Sequence, residues 1–467
     1  MIAPRSTRER AARRESPTGA PRPGVAAPAA GARPPRGARG LTRLLTAAFV
    51  LLPLPAQAVY DDASVHSILL NRDRAEALQA PLVLLAHETT CHLAGGGART
   101  KSEHLIWFVA DPQAPVCQAV QQPRIRLDLL LERLELHRAR IYRSGDTLEV
   151  APAAWHSTGI SGWPEATRLS WTEASAELPP LEKGDLVELA YTIHNRWSAS
   201  RQSANWEVIP IANPLAPTVE RHIVLTSVSL IDGQAVVLGD AARLIRHHGT
   251  TQPRLELLTG NLPPAPADPL DLHAPRLLYS AETDWRTVQR ALVPHYGYCI
   301  QTYEEALAAA GDSILAATRT TRERLAGVLE HIERRWTRVP RSLPETRGFP
   351  RLPPAALTDR ASDPLDRAIL AAGLAGAAHL KVSLFFGAST AEGFRTDLAT
   401  PQQFDRVLLG VPLLEEGRYL IFDPWQTGLE AAESAASGVP VLFGISEDVA
   451  GFREVGSDGR LHERQMP

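Results

Sequence analysis

Leu262-Pro-Pro-Ala-Pro-Ala-Asp-Pro-Leu-Asp-Leu-His-Ala-Pro275 holds five prolines and no hydrophobic period. Each proline fixes φ and removes a backbone donor, so the stretch reads as a stiff linker. The pattern changes across it. Upstream, from Leu82 to Leu262, short apolar or alternating runs are punctuated by Gly, Pro, Asp and Ser: Leu105-Ile-Trp-Phe-Val109, Leu134-Glu-Leu-His-Arg-Ala-Arg-Ile-Tyr142, Leu186-Val-Glu-Leu-Ala-Tyr-Thr-Ile-His194, Glu220-Arg-His-Ile-Val-Leu-Thr-Ser-Val228 and Ala235-Val-Val-Leu238. Runs of this length predict an antiparallel sandwich or barrel, with a tight hairpin at Arg143-Ser-Gly-Asp146. Downstream, Asp284 to Leu292, Tyr303 to Ala310 and Thr321 to Trp336 carry helical spacing; in the last, Leu325, Val328, Leu329, Ile332 and Trp336 share a face. A Pro-rich loop to Pro354, a helix after Asp363 and strands at Leu380, Val407 and Tyr419 follow. The expected fold class is multidomain: an all-β antiparallel, sandwich-like N-terminal domain (82–262), the linker (263–275), an α+β C-terminal domain (276–445) and a flexible tail (446–467).

Residues 1–58 have the order of a secretory leader: an Arg-rich segment to Arg43, an apolar run from Leu44 to Leu54, then Ala56-Gln57-Ala58 before Val59. The apolar run falls short of the ~20 residues needed to cross a bilayer, so the leader is expected to be cleaved and the chain exported, to the periplasm or beyond. The low-complexity stretch over 1–40 is a long, disordered n-region or lies before the true translation start. The second apolar stretch, Ala368 to Ala388, is interrupted by His379 and Lys381 and reads as a buried helix running into a buried strand, leaving no membrane span once the leader is gone.

The whole chain carries a net charge of −3, 44% hydrophobic and 22% charged residues, the profile of an ordinary folded chain. The leader holds ten Arg and two acids, so the remainder is at −11, which argues against nucleic acid as a partner. Six of the nine Trp fall in the β-rich part (Trp107, Trp155, Trp163, Trp171, Trp197, Trp206) with no spacing that singles out one face, and they are assigned to core and edge packing instead of a sugar platform. Cys91 and Cys117 are candidates for a disulfide in an exported chain, the alternative being three buried thiols, with Cys299 left over.

Taken together, Leu178-Pro-Pro-Leu-Glu-Lys-Gly-Asp-Leu-Val-Glu-Leu-Ala-Tyr191, Leu278-Tyr-Ser-Ala-Glu-Thr-Asp-Trp285 and Thr321-Arg-Glu-Arg-Leu-Ala-Gly-Val-Leu-Glu-His-Ile-Glu-Arg-Arg-Trp336 resemble a bacterial exported architecture. In it a β-rich domain of unknown function precedes a transglutaminase-like domain of papain-like cysteine fold. That resemblance implies a Cys at the start of a buried helix, a His on one strand and an Asp at the end of the next, an arrangement that lowers the thiol pKa for acyl transfer. Here the helix start reads Ser362-Asp-Pro-Leu-Asp-Arg-Ala-Ile-Leu-Ala-Ala-Gly-Leu374, which puts Pro364 at the Cys position. Phe404-Asp-Arg-Val-Leu-Leu-Gly-Val411 puts Arg406 at the His position, where a guanidinium cannot act as a base near neutral pH. Asp423, in Leu420-Ile-Phe-Asp-Pro-Trp425, matches the third position, so an Arg406–Asp423 charge pair is expected in the former cleft.

The resemblance therefore implies a pseudo-enzyme: an exported, catalytically degenerate transglutaminase-like protein that binds a peptide, glycan or envelope protein. The alternative is a cysteine enzyme of transglutaminase or peptidase type using Cys299, with His295 four residues before it but Gly297 between them. A carboxylate hydrolase using Asp405 with Asp423 is a third reading. His379 falls at a helix-to-strand junction and His462 in a polar stretch, so neither supplies the missing base. His247-His248 diverge as adjacent residues and no His, Cys or acidic spacing matches a metal site. Gly95-Gly-Gly97 lacks a following Lys-Ser/Thr and reads as a turn, so no cofactor is expected.

Overall fold

The computed structural model describes residues 72–463, apart from 95–97, 164, 166, 168–169, 196–205, 228–232, 239–242, 248–253, 266–273, 283, 392, 414–417, 446–450 and 456–459. The expected leader, Gly95–Gly97, Trp197, His248 and most of the Pro-rich linker lie outside the described residues.

After helix α1 (Arg72–Ala77) come β1 (Leu82–Leu93), β2 (Arg99–Val109), α2 (Pro115–Gln121), β3 (Arg124–Asp128), β4 (Glu132–Arg143), β5 (Asp146–Glu149), β6 (His156–Thr158), β7 (Trp171–Ser175), β8 (Leu186–Asn195), β9 (Trp206–Pro210), β10 (Thr218–Ser227), β11 (Gln234–Leu238), β12 (Arg243–His247), β13 (Arg254–Leu262) and β14 (Arg276–Ser280). Among the described residues they form an eight-stranded sheet, β12-β13-β10-β1-β2-β8-β4-β5, and two three-stranded sheets, β11-β14-β9 and β3-β7-β6. Neighbours run antiparallel except β1 and β10, which are parallel. The β4–β5 hairpin turns on Ser144 and Gly145, both at positive φ, as the right-handed twist of the flanking strands requires. Cys91, Leu93, Ile223, Leu225 and Leu257 of the large sheet meet Ile209, Leu277 and Tyr279 of the β11-β14-β9 sheet, giving the layered sheet packing the alternation predicted. Trp107, Trp171 and Trp206 are buried, in keeping with their reading as packing residues.

The opposite face of the large sheet carries a row of ionisable groups. Glu88 on β1 stands opposite His104 on β2 and His222 on β10. His104 Nε2 is 2.8 Å from Glu188 Oε1 and His222 Nε2 is 2.6 Å from Glu256 Oε1, while Tyr142 donates to Glu188 Oε2 at 2.6 Å. Burial pushes the Glu88 carboxyl up to about 7, the Thr90 hydroxyl and the Arg254 and Arg221 charges offsetting only part of this. Between about pH 4.5 and 7 the native state therefore holds a proton that the unfolded chain has released, and this group makes stability fall as pH rises through that window. Glu88→Gln should flatten that fall by about 1–3 kcal/mol, measured as denaturant unfolding of both proteins at pH 5 and pH 8.

The rest of the chain builds α3 (Trp285–Ala306), α4 (Ala308–Ala317), α5 (Thr321–Arg335), β15 (Thr337–Arg338), α6 (Leu343–Thr346), α7 (Pro353–Asp359), β16 (Ala361–Ser362), α8 (Pro364–Ala377), β17 (Ser383–Ala388), β18 (Arg406–Leu413), β19 (Arg418–Phe422), α9 (Leu429–Ala436), β20 (Val441–Gly444), β21 (Gly451–Val455) and β22 (Leu461–Glu463). Strands β17 to β22 form a sheet in the order β19-β18-β17-β20-β21-β22, antiparallel throughout. Helix α5 starts on a capping box between Thr320 and Glu323 and buries Leu325, Val328, Leu329 and Ile332, the face read from its spacing. Helix α8 is buried on nearly all sides, apolar from Ala368 onward, and stops in a Schellman motif: His379 N donates to Gly376 O and Leu380 N to Ala375 O, with His379 at positive φ. His379 thus ends the helix.

Four expectations need correction. Arg276–Ser280, read as the start of the second domain, is the middle strand of the β11-β14-β9 sheet, because Leu277, Leu278 and Tyr279 find their apolar partners there. The polar stretch from 446 was expected to be flexible, yet β21 pairs onto β20 and β22 onto β21 through backbone bonds that need no apolar pattern. The helix expected over 303–310 is split: α3 runs to Ala306 and α4 begins at Ala308, with Leu307 off helical geometry between them. Gly297 does not break α3, since Val288, Leu292, Tyr296, Cys299 and Tyr303 hold one continuous face against the core. No helix among the described residues is long and apolar enough to cross a membrane.

Candidate functional site

Helix α8 opens on Asp363, whose carboxylate accepts from Asp366 N at 2.8 Å, with Pro364 in the first turn. A proline there costs nothing, because that amide has no intrahelical partner anyway, and it offers no nucleophile. Burial, reinforced by the Asp366 charge, pushes the Asp363 carboxyl above the usual range, and the Arg341 guanidinium at 3.9 Å offsets only part of it. One turn in, Arg367 is fully buried; its Nε donates to Pro424 O at 2.8 Å and its Nη2 to Glu333 on α5. Burial and the neighbouring Arg338 charge lower Arg367 to about 10, so it still carries its charge at neutral pH.

The neighbouring strands β18 and β19 deliver the other two positions. Arg406 opens β18 and Asp423 follows β19 directly, and Arg406 Nη1 donates to Asp423 Oδ2 at 3.4 Å. Arg406 Nε donates to Ser389 Oγ at 2.7 Å, and its Nη1 also reaches Ala435 O at 3.3 Å. Asp423 Oδ1 accepts from Trp425 N at 2.9 Å; burial nevertheless raises its carboxyl above the usual value. The guanidinium is thus anchored on three sides, by Asp423, Ser389 and Ala435. Arg406 is about one-third exposed, so the pair is only partly shielded from water. A double-mutant cycle with Arg406→Ala and Asp423→Ala should give a coupling of about 0.5–1 kcal/mol in unfolding free energy. Coupling of zero would mean the contact does no energetic work.

The other sequence candidates are spread across the molecule. Cys299 lies on the buried face of α3 with its Sγ 4.0 Å from Arg351 O, and burial pushes its thiol up to about 12. Such a group is almost wholly protonated at neutral pH and is a poor nucleophile. His295 faces Pro350 O at 3.3 Å. Cys91 and Cys117 are both free and buried, so the candidate disulfide does not form: Cys91 packs between the large sheet and β9-β14, whereas Cys117 sits on α2 in another cluster with its thiol donating to Asp111 O at 3.1 Å. Asp405 accepts from Ser389 N at 2.9 Å. No group of His, Cys and acidic side chains among the described residues could hold a metal ion.

What the sequence reading missed is the buried ionic layer behind the α8 N-terminus. Arg351, in the Pro-rich loop before α7, places Nε 2.7 Å from Asp366 and Nη1 2.7 Å from Asp359, and sets its guanidinium carbon over the Trp171 ring, 4.1 Å from the ring centre. Ser170, just before β7, donates to Asp359 Oδ2 at 2.6 Å, so this layer also joins the β-rich part to the α+β part. The one available signal was Asp366-Arg367 as the only charged residues in an otherwise apolar helix.

No family model matches the chain. No curated protein matches it either. Among solved structures it is similar to a "putative protease" from Parabacteroides distasonis, at 12% identity over 78% of this chain and 70% of that one, with a TM-score of 0.64. An M1 zinc metallopeptidase from Deinococcus radiodurans (15% identity, 43% of each chain) and a "putative cysteine protease" from Cytophaga hutchinsonii (12% identity, 50% of this chain and 82% of that one) give TM-scores of 0.25 and 0.23, below any shared overall fold. The protein therefore shares its fold, a β-rich part followed by an α+β part, with the Parabacteroides protein.

Proposed function

We propose that the chain is an exported, catalytically degenerate transglutaminase-like protein that serves the cell envelope as a non-catalytic binding or scaffolding module. The observation that carries this reading is the Arg406–Asp423 pair at 3.4 Å beside the proline-started helix α8. A charged guanidinium occupies the position the resemblance gives to an imidazole base, and the proline occupies that of the thiol. The thiol of Cys299, pushed up to about 12 by burial, supports the same reading. The leader-like order of residues 1–58 supports export. A fold without the chemistry of its relatives can still hold a partner.

The test is to incubate the purified protein with a thiol-directed probe and with a pool of glutaminyl peptides and amines, and to score labels and products by mass spectrometry. The expected result is no label on the native protein, three labelled cysteines after denaturation, and no isopeptide or hydrolysis product. A product that vanishes in Cys299→Ser would overturn the reading and make this a rearranged cysteine enzyme.

A further inference from the structure

Helices α4 and α5 form a hairpin that leaves a groove of about 870 Å³ between them, and this groove shares no residue with the Arg406–Asp423 site. Its walls are small: Ala309, Ala310 and Ala317 on α4, Ala326 and Gly327 on α5. The two helices touch where a Cβ on Gly327 would lie 3.1 Å from Ile314 Cγ2, and the small side chains beside that contact leave the space unfilled. Counting seven residues back from Ile314 and seven on from Gly327 sets Leu307 level with Arg334, and both line the groove.

The charges at this end do not balance. Glu330 takes Arg334, and Glu323 is used in the capping box of α5. Burial and the neighbouring Arg335 and Arg334 charges hold His331 below the usual imidazole value, so it is mostly neutral at pH 7. Arg335 is exposed and makes no ion pair or hydrogen bond among the described residues. The groove therefore ends on one uncompensated cation.

Helix α4 carries the matching shape and charge. Its inner side packs closely, since a Cβ on Gly311 would lie 2.5 Å from the Ala377 backbone, yet its outer side is no more polar. The exposed positions are Ala308, Ala309, Asp312, Ser313, Ala316 and Ala317. A helix apolar all round is one that is ordinarily covered all round. Asp312, the only charge on α4, is also without a partner among the described residues. An acidic peptide or a nucleic acid would answer Arg335 but leave the alanine face bare and meet Asp312, Glu323 and Glu330. A second copy of α4 answers both the cation and the bare face.

We propose that two copies of the chain pair about a twofold axis near Ala309 and Ala310, each α4 lying antiparallel to the other along the partner's groove, with Asp312 of each copy facing the partner's Arg335. In that register Asp312 stands opposite the partner's Leu307, at the level of the uncompensated cation, and the twofold makes the contact twice. The pairing does not depend on whether the chain has lost its catalysis, so the thiol-probe result leaves it untouched in either direction.

Sedimentation velocity of the purified chain over a series of concentrations tests this, together with four variants. A monomer–dimer equilibrium is expected. Asp312→Arg and Arg335→Asp should each raise the dimer dissociation constant at least tenfold, because each sets like charges against one another, and the two combined should restore most of the loss. Ala309→Trp places a ring on the twofold at an exposed position and should abolish the dimer while the circular dichroism spectrum stays that of the parent monomer. A monomer at every concentration would leave the groove to the helix of another protein and overturn the proposal. So would species that keep growing beyond the dimer, a dimer untouched by Ala309→Trp, or a combined charge reversal no better than the single ones.

Discussion

Arg351→Met is expected to cost about 3–5 kcal/mol of stability. The guanidinium holds Asp366 through Nε and Asp359 through Nη1, donates from Nη2 to Ala361 O, and sits over the Trp171 ring, all in a site with almost no solvent exposure. Methionine fills much of the volume but leaves two carboxylates buried without their counter-charge. Arg351→Lys should fall in between, because a single ammonium cannot reach both carboxylates in the fork geometry that arginine provides. Adding Asp359→Asn and Asp366→Asn to Arg351→Met should restore at least half of the loss, since the penalty lies in the stranded charges and not in the missing contact. Urea unfolding of the four proteins at one pH is the measurement. An Arg351→Met protein within about 1 kcal/mol of the wild type would show that water enters the layer and screens it.

Gly373→Val should cost about 3 kcal/mol or more, or prevent folding altogether. A Cβ at this position would lie 2.5 Å from Tyr303 Cβ and 2.8 Å from Ile300 O, inside van der Waals contact with the backbone of α3, so α3 and α8 cross at a spacing only glycine permits. Pushing them apart would open the core that α8 forms with its neighbours. Gly297→Ala, on the outer side of the same α3, provides the contrast: its Cβ would meet nothing within 4 Å, and in a helix interior the exchange should stabilise by about 0.5–1 kcal/mol. Thermal melts of both variants decide the matter. If the two glycines respond alike, helix propensity and not the crossing governs this region.

Much of the architecture could be read from local pattern. The positive-φ turn at Ser144-Gly145, the one-sided face of α5 and the Asp-Pro start of α8 each follow from rules that act over a few residues. The elements that escaped depend on partners distant in sequence. Nothing in Arg276–Ser280 announces that it slots between β9 and β11, and nothing in β1 announces that β10 runs parallel to it. The site divides in the same way. Arg406 and Asp423 were singled out by the resemblance, and the ends of adjacent strands bring their side chains together. Arg351 sits in a Pro-rich loop without a period, so its burial beneath Trp171 could not be foreseen.

The placement of β14 also bears on how such a chain could be inherited. The Pro-rich segment looks like the natural seam for swapping modules between genes, yet a crossover there would hand the central strand of the β11-β14-β9 sheet to the wrong product. The upstream product would keep β9 and β11 with an empty slot between them, and the downstream product would begin with Leu277, Leu278 and Tyr279 as a greasy, unpaired edge. A workable joint lies after Ser280, where β14 stays with the β-rich part whose sheet it completes.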